Sequence, residues 1–292
     1  MNSIDLIIPY YNRKAALNKA LQSLLRQSFK QFTLIVADDG SRPDQCLDLS
    51  SEWGDRAQWL HLPHGGVSWA RNQGFLKSSA PWVAFLDSDD EWHPDKLKAQ
   101  WDYHQAHPDC NISQTEEIWI RKGKRVNAHQ KHGKGSGDIF SKSLELCTIS
   151  PSSVMMRREV FEAYGPFEEK LLACEDYHLW LKIAAQERIG LVPEPLLIKY
   201  GGHEDQLSRR YPAMDRLRIW ALFDVLRGDW LNPAQRREAL QTLAQKSRVL
   251  NLGAIKRGRD LSRLIQWVAT ARQGSYPNPM ELDELLLDGW EE

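Results

Sequence analysis

The chain has 292 residues, 42% hydrophobic and 26% charged, with a formal net charge of -1. That length buries a sizeable core in one large domain or two intimate ones. The composition excludes a disordered chain, and the near-neutral balance excludes a nucleic-acid partner. The longest apolar runs, such as residues 82–86, fall far short of the roughly 18 residues a spanning helix needs. Residues 1–5 lack the basic and apolar parts of a secretory leader, so none is expected, and a cytoplasmic location follows. Cys46, Cys110, Cys147 and Cys174 are scattered, which predicts free buried thiols in a reducing compartment. The 12 tryptophans are expected mostly in the core.

In chain order, residues 4–8 form an apolar run closed by Pro9, a strand. Leu17, Ala20, Leu21, Leu24 and Leu25 then recur with helical spacing, with Asn12 as the expected cap. Strands are predicted at 32–37, 58–62 and 82–86, and helices at 46–53 and 67–77. Alternating strands and helices predict an α/β fold with a mostly parallel sheet covered on both faces. Further strands are expected at 112–120, 149–156, 191–192 and 196–199, with helices at 158–164 and 176–185. From about residue 211 the pattern is helical, with Asn232-Pro233 as a helix start. Leu240, Leu243 and Leu250 carry one stripe there, and Leu261, Leu264, Ile265 and Val268 another. Residues 201–275 hold 14 Lys and Arg against 7 Asp and Glu. Ordinary helix packing with a solvated basic face explains this best; peripheral contact of these C-terminal helices with an anionic inner membrane face is the alternative.

Ligands of an open parallel sheet bind beyond the carboxyl ends of its strands. Polar clusters end three predicted strands: Tyr10-Tyr11-Asn12, Asp38-Asp39 and Asp87-Ser88-Asp89. Taken alone, Asp38-Asp39-Gly40-Ser41 reads as a turn plus a helix cap, and Asp87-Ser88-Asp89-Asp90 also reads as a turn. Asp87-Ser88-Asp89-Asp90 is no calcium loop, because Trp92 and Lys98 stand where Gly and Glu are needed. There is no P-loop and no dinucleotide fingerprint after the first strand. A diphosphate therefore needs another neutralising device, and a divalent metal on Asp-x-Asp carboxylates supplies one.

Six segments carry a family resemblance, in matching order, over about residues 4–208. Ile7-Ile8-Pro9-Tyr10-Tyr11-Asn12-Arg13 resembles the opening motif of family 2 glycosyltransferases of the GT-A fold. Val36-Ala37-Asp38-Asp39-Gly40-Ser41 resembles their uridine-binding motif, and Ala70-Arg71-Asn72-Gln73-Gly74 their nucleotide-side motif. Phe85-Leu86-Asp87-Ser88-Asp89-Asp90 is similar to their Asp-x-Asp metal motif. Ala173-Cys174-Glu175-Asp176-Tyr177 resembles their Glu-Asp catalytic motif. Gly201-Gly202-His203-Glu204-Asp205 resembles the segment whose His can join the metal. The resemblance implies a Rossmann-like GT-A sheet with a C-terminal helical extension. It divides the chain into a nucleotide-sugar half at 1–105, an acceptor half at 106–208 and a helical region at 209–292.

The same resemblance implies the roles. Asp39 accepts the uracil N3–H, Pro9, Tyr11 and Asn12 belong to the nucleotide site, and Arg71 lies near base or phosphates. Asp87 contacts ribose or the metal shell. Asp89, with Asp87 and His203, holds Mn2+ or Mg2+. Asp176 is the base, and Glu175 supports the acceptor or the loop. Asp38 is a local structural partner, and Asp90 either stands behind the metal ligands or, the preferred reading, caps the helix from Pro94. His61, His64, His129 and His132 have no carboxylate company and read as loop residues. The implied reaction moves a sugar from a nucleotide sugar, UDP-sugar favoured, to a sugar or lipid-linked glycan acceptor with inversion, in envelope or extracellular polysaccharide synthesis. A sugar-nucleotide pyrophosphorylase needs a Gly-rich loop where Pro9-Tyr10-Tyr11-Asn12 stands. A non-catalytic carbohydrate-binding relative needs a missing site residue, and none is missing.

Overall fold

The computed structural model describes residues 4–126, 133–202, 211 and 213–290. They fall into two units, one of Met1–Ile139, Thr148–Glu169 and Glu187–Gly202, the other of Phe140–Cys147, Lys170–Gln186 and His203–Glu292.

The first unit is built on one mixed sheet. Strands β1 (Ile4–Tyr10), β2 (Phe32–Asp38), β3 (Ala57–His61) and β4 (Trp82–Phe85) pair in parallel in the order β3-β2-β1-β4. Every residue of β1 is buried, as a parallel strand covered on both faces must be. Helix α1 (Lys14–Leu25) buries Leu17, Ala20, Leu21 and Leu24. The helix expected at 46–53 is instead a 3-10 turn at Pro43–Gln45 and a single turn, α2 (Ser50–Trp53). Helix α3 (Val67–Lys77) lies against β1 and β2. Gly74 permits that approach: a Cβ there would stand 2.5 Å from Ile7 Cγ2.

The sheet continues as β8-β6-β9-β5, from β5 (Glu91–Trp92), β6 (Ile112–Arg121), β8 (Val154–Arg157) and β9 (Ile189–Gly201), while β7 (Lys124–Val126) pairs with β6. Helices α4 (Lys96–Ala106) and α6 (Arg158–Tyr164) complete the unit. The strand expected at 149–156 is a 3-10 turn at Pro151–Ser153 leading into the short β8. The two strands expected at 191–192 and 196–199 are one, β9, parallel to β6. Its register shifts beside Glu116, opposite the Pro193–Pro195 stretch, because proline offers the ladder no N–H.

The second unit is helical: α5 (Phe140–Glu145), α7 (Glu175–Gln186), α8 (Asp215–Arg227), α9 (Pro233–Ile255), α10 (Ser262–Ala271) and α11 (Pro279–Leu286). Helix α8 is its centre, touching α7, α9 and α11. It is buried nearly all round, through Leu217, Ile219, Trp220, Leu222, Phe223 and Leu226 among others. The start of α9 is the one expected, a full capping box between Asn232 and Gln235 with Pro233 in the first turn. Of the predicted stripes, Leu243, Leu250, Leu261, Leu264 and Val268 are buried, whereas Ile265 is exposed. None of the 12 tryptophans is exposed. Cys174 is buried and the other three cysteines are half-buried, and none of the four is in a disulfide. Among the described residues no helix is long and apolar enough to cross a membrane.

Candidate active site

The loops after β1, β2 and β4 meet at the carboxyl ends of their strands. Pro9 is buried inside β1 and Tyr11 stands out just beyond it, stacked on His64 with ring centres 4.4 Å apart. Asn12 has a left-handed φ of 49°. Its backbone N–H donates to Ser41 Oγ at 2.9 Å, and its Oδ1 accepts from the Arg42 N–H at 2.9 Å. Asn12 is therefore no cap: its side chain ties the β1 loop to the β2 loop, and α1 begins after Arg13 without a side-chain cap.

At the end of β2 the two adjacent aspartates part company. Asp38 is local bracing, taking the Ser41 N–H and the Trp59 indole N–H, each at 3.0 Å. Asp39 faces the loop before α3. Its oxygens accept from the Gly65 N–H at 2.7 Å and the Gly66 N–H at 2.9 Å, and His64 Nδ1 lies 2.8 Å from Oδ2. Gly66 starts α3 with φ of 95°, a conformation that favours glycine. Burial pushes the Asp39 carboxyl up, against the pull of both amides and His64. The expectation that His61 and His64 lack carboxylate company is overturned: strand register sets His61 beside Asp38 and the β3–α3 loop sets His64 beside Asp39.

After β4, Asp87 pairs with the buried Arg71 at 2.7 Å, and Arg71 also lies over the Phe167 ring at 5.0 Å. Asp89 pairs with Arg13 at 2.9 Å. Burial opposes the Asp87 charge, but the Arg71 and Lys199 cations hold its carboxyl below the usual range. Burial, joined by the Asp87 charge, pushes Asp89 up. Asp90 does not cap α4, whose cap position is Asp95. It is buried instead, taking the Ser152 hydroxyl at 2.7 Å with Lys199 at 3.8 Å, and burial pushes it up to about 8. Ser152 also accepts the Asp87 N–H at 3.0 Å. Sequence reasoning missed Ser152 and Lys199, which no local pattern marks. Arg13 and Ser41 stand inside the motifs without an expected role.

Asp87, Asp89 and Asp90 set three carboxylates within four residues; burial is the main force that raises Asp89 and Asp90, and the neighbouring carboxylate charges add to it. Hard oxygen donors of this kind suit Mg2+ or Mn2+, so Asp87 and Asp89 fit such an ion. His203, His129 and His132 lie outside the described residues.

In the second unit, Glu175 and Asp176 are the first two residues of α7, where acidic groups suit the helix dipole. Glu175 is buried and Asp176 half-buried. Asp176 Oδ1 accepts from the Tyr177 N–H at 2.7 Å, and the Cys147 thiol lies 3.4 Å from Oδ2. The preceding Cys174 holds a left-handed φ of 64°, uncommon for a residue with a side chain.

The model of glycosyl transferase family 2 matches residues 5–165. The uncharacterized glycosyltransferase RC0461 of Rickettsia conorii is 32% identical over 195 residues, which cover 66% of this chain and 32% of that protein. The chain thus spans about a third of the length of this and similar Rickettsia relatives. The Escherichia coli UDP-Glc:alpha-D-GlcNAc-diphosphoundecaprenol beta-1,3-glucosyltransferase WfgD is 27% identical over 196 residues, 65% of this chain and 72% of WfgD. The structure of S. aureus TarS 1-349 in complex with UDP-GlcNAc superposes with a TM-score of 0.67 at 20% identity, covering 95% of this chain and 93% of that one.

Proposed function

This chain belongs to glycosyl transferase family 2 and has the GT-A fold, and from that premise we propose that it transfers a sugar from a UDP-sugar to an acceptor hydroxyl with inversion. One observation carries the reading: Tyr11, Asn12, Asp39, His64, Arg71, Asp87 and Asp89 are brought together by the loops after β1, β2, β3 and β4 and by α3. Asp39 would take the uracil N3–H. Its Oδ1 has a second lone pair beyond the one the Gly65 amide uses, whereas Oδ2 meets both the Gly66 amide and His64, and a carboxylate is a strong acceptor. Tyr11 would offer its ring to the base and Arg71 its charge to the diphosphate side. Asp89 and Asp87, with His203, would hold Mg2+ or Mn2+, which when bound offsets the charge of the diphosphate leaving group.

Asp176 would accept the proton of the attacking hydroxyl while Glu175 supports it. The new bond joins the acceptor oxygen to the anomeric carbon, the bond to the diphosphate breaks, and UDP leaves. A lipid-diphosphate glycan is the proposed acceptor class, resting on the name of the WfgD relative. For it we propose peripheral contact at the anionic cytoplasmic face. Exposed Val249, Leu252 and Ile255 on α9, beside Arg248, Lys256 and Arg257, support it; flotation with anionic vesicles tests it. The donor is tested by calorimetry of UDP, GDP and dTDP with metal present. UDP is expected to bind more tightly than GDP, with dTDP closer because it keeps the N3–H; equal or tighter GDP binding refutes the assignment. Chelator is expected to abolish acceptor-dependent UDP release.

A further inference from the structure

At the outer edge of the parallel sheet, three unlike donors share one corner. Asp38 ends β2 and His61 ends β3, and the strand register sets them opposite each other. Cys46 follows the Pro43–Gln45 turn that brings the chain back over them. Asp38 Oδ2 lies 3.6 Å from Cys46 Sγ and 3.4 Å from His61 Nδ1. All three donor atoms lie within 4.8 Å of one another.

The His61 separation is long for a hydrogen bond, whose N···O length is about 2.7–3.2 Å. Both separations match the edges of a tetrahedral zinc site. Bonds of about 2.3 Å to sulfur and 2.0 Å to nitrogen or oxygen set the S···O edge near 3.5 Å and the N···O edge near 3.3 Å. Asp38 is already oriented, its Oδ1 by the Ser41 N–H and its Oδ2 by the Trp59 indole N–H, each at 3.0 Å. Such outer partners fix a ligand without occupying every lone pair. The side-chain face of His61 is open to solvent, and a surface cavity of about 290 Å³ lined by Cys46, Trp59 and His61 adjoins the three donors. A fourth ligand from water has room there.

We infer that Asp38, Cys46 and His61 form a second cation site, distinct from the Asp87 and Asp89 carboxylates, for a borderline-soft ion of the Zn2+ class. Sulfur and imidazole nitrogen favour zinc or cobalt over magnesium. Binding would displace the Cys46 thiol proton to solvent and leave His61 neutral. The filled site would clamp residues 39–46 onto β3. This inference does not depend on the proposed transfer reaction.

The test is a Co2+ titration of the full chain followed by absorption. One equivalent is expected to give a thiolate-to-cobalt charge-transfer band with the visible bands of a tetrahedral ion. Cys46→Ser is expected to lose the charge-transfer band. His61→Gln, at an exposed position, is expected to weaken binding about tenfold or more, the scale seen even for outer partners of a metal ligand. Asp89→Ala is expected to leave the band intact. No thiolate band in the unaltered chain overturns the site, as does a band that survives Cys46→Ser. Loss of the band in Asp89→Ala would show that the two cation sites are not distinct.

Discussion

The two units place their buried polar groups differently. In the first, Asp38, Asp39 and Asp90 are buried near strand ends and Arg71 on α3 reaches Asp87, so their partners come from other strands, loops and helices. In the second, polar groups brace one helix against another. His178 Nε2 meets Asp224 at 2.9 Å, the Trp220 indole donates to Asp283 at 2.7 Å, and Arg216 donates to the Leu286 carbonyl. A parallel sheet delivers every strand end to one edge, so residues far apart in sequence arrive together. A helical bundle has no such edge and uses polar pairs to fix packing. The Glu175-Asp176 pair at the start of α7 is the exception in the helical unit, and it bears the largest predicted effect.

Asp176→Asn keeps the side chain's shape and removes the proton acceptor. Transfer is expected to fall about 10²- to 10⁴-fold, while calorimetry of UDP-sugar binding changes little. Glu175→Gln is expected to cost less. Near-normal transfer by Asp176→Asn with an inactive Glu175→Gln would reverse the two roles. Normal transfer by both would leave the helical unit with packing alone and sharpen the contrast between the units to its limit.

Within the sheet unit, His104 gives a pH test. The ring lies between the Cys110 carbonyl and the Ser113 hydroxyl, each at 2.9 Å, and burial pushes it down to about 4. A group depressed on folding contributes stability above its unfolded pKa of about 6.5 and loses it as pH falls toward the folded value. That loss is about 3 kcal/mol at most between pH 6.5 and 4, at 1.36 kcal/mol per unit. Urea unfolding across that range should show it, and His104→Gln should flatten the acid limb. An unchanged limb in the variant assigns the loss to other groups.

Much of this was legible locally. Apolar runs placed β1, β2 and β4, and helical spacing placed α3 and α6 to the residue. What failed needed distant partners. Asn12 looks like a cap until Ser41 and Arg42, about 30 residues on, claim its polar groups. Asp90 looks like a cap until Ser152 and Lys199 enclose it. His61 and His64 acquire carboxylates only through β2–β3 pairing and the loop behind it. Periodicity reports which face is buried but not which polar group waits on the next strand, so the donor loops were readable as motifs and their wiring was not. The β9 register shift was unreadable for the same reason, since Pro193 and Pro195 broke the apolar pattern into two.

Gly74→Ala probes the close approach that places Arg71. The added Cβ meets Ile7 Cγ2 at 2.5 Å, and overpacking a filled interior costs about 1–3 kcal/mol. Thermal unfolding should show a lower midpoint. An unchanged midpoint would mean that α3 can withdraw from β1 without cost. Nucleotide binding measured on the same variant would then report whether Arg71 depends on that contact.

The smallest effect lies in the helical unit, at the start of α9. Asn232 Oδ1 accepts the Ala234 and Gln235 N–H groups at 2.9 and 3.0 Å, and Gln235 Oε1 returns the favour to the Asn232 N–H at 3.0 Å. Removing the capping oxygen leaves two amides of the first turn to water, which costs about 0.5–2 kcal/mol. Asn232→Ala should lower the melting midpoint by the shift that cost produces, whereas Asn232→Asp should keep it, because a carboxylate also caps and suits the helix dipole. The trace itself carries further information. If Asn232→Ala and Gly74→Ala shift one shared transition, the two units unfold together, and the contrast between them is one of polar wiring only. If each shifts a different transition, the sheet and the helices are separate cooperative bodies, and the donor loops keep their fold after the helices melt. Equal midpoints for Asn232→Ala and the unaltered chain would mean that α8 packing alone holds the start of α9.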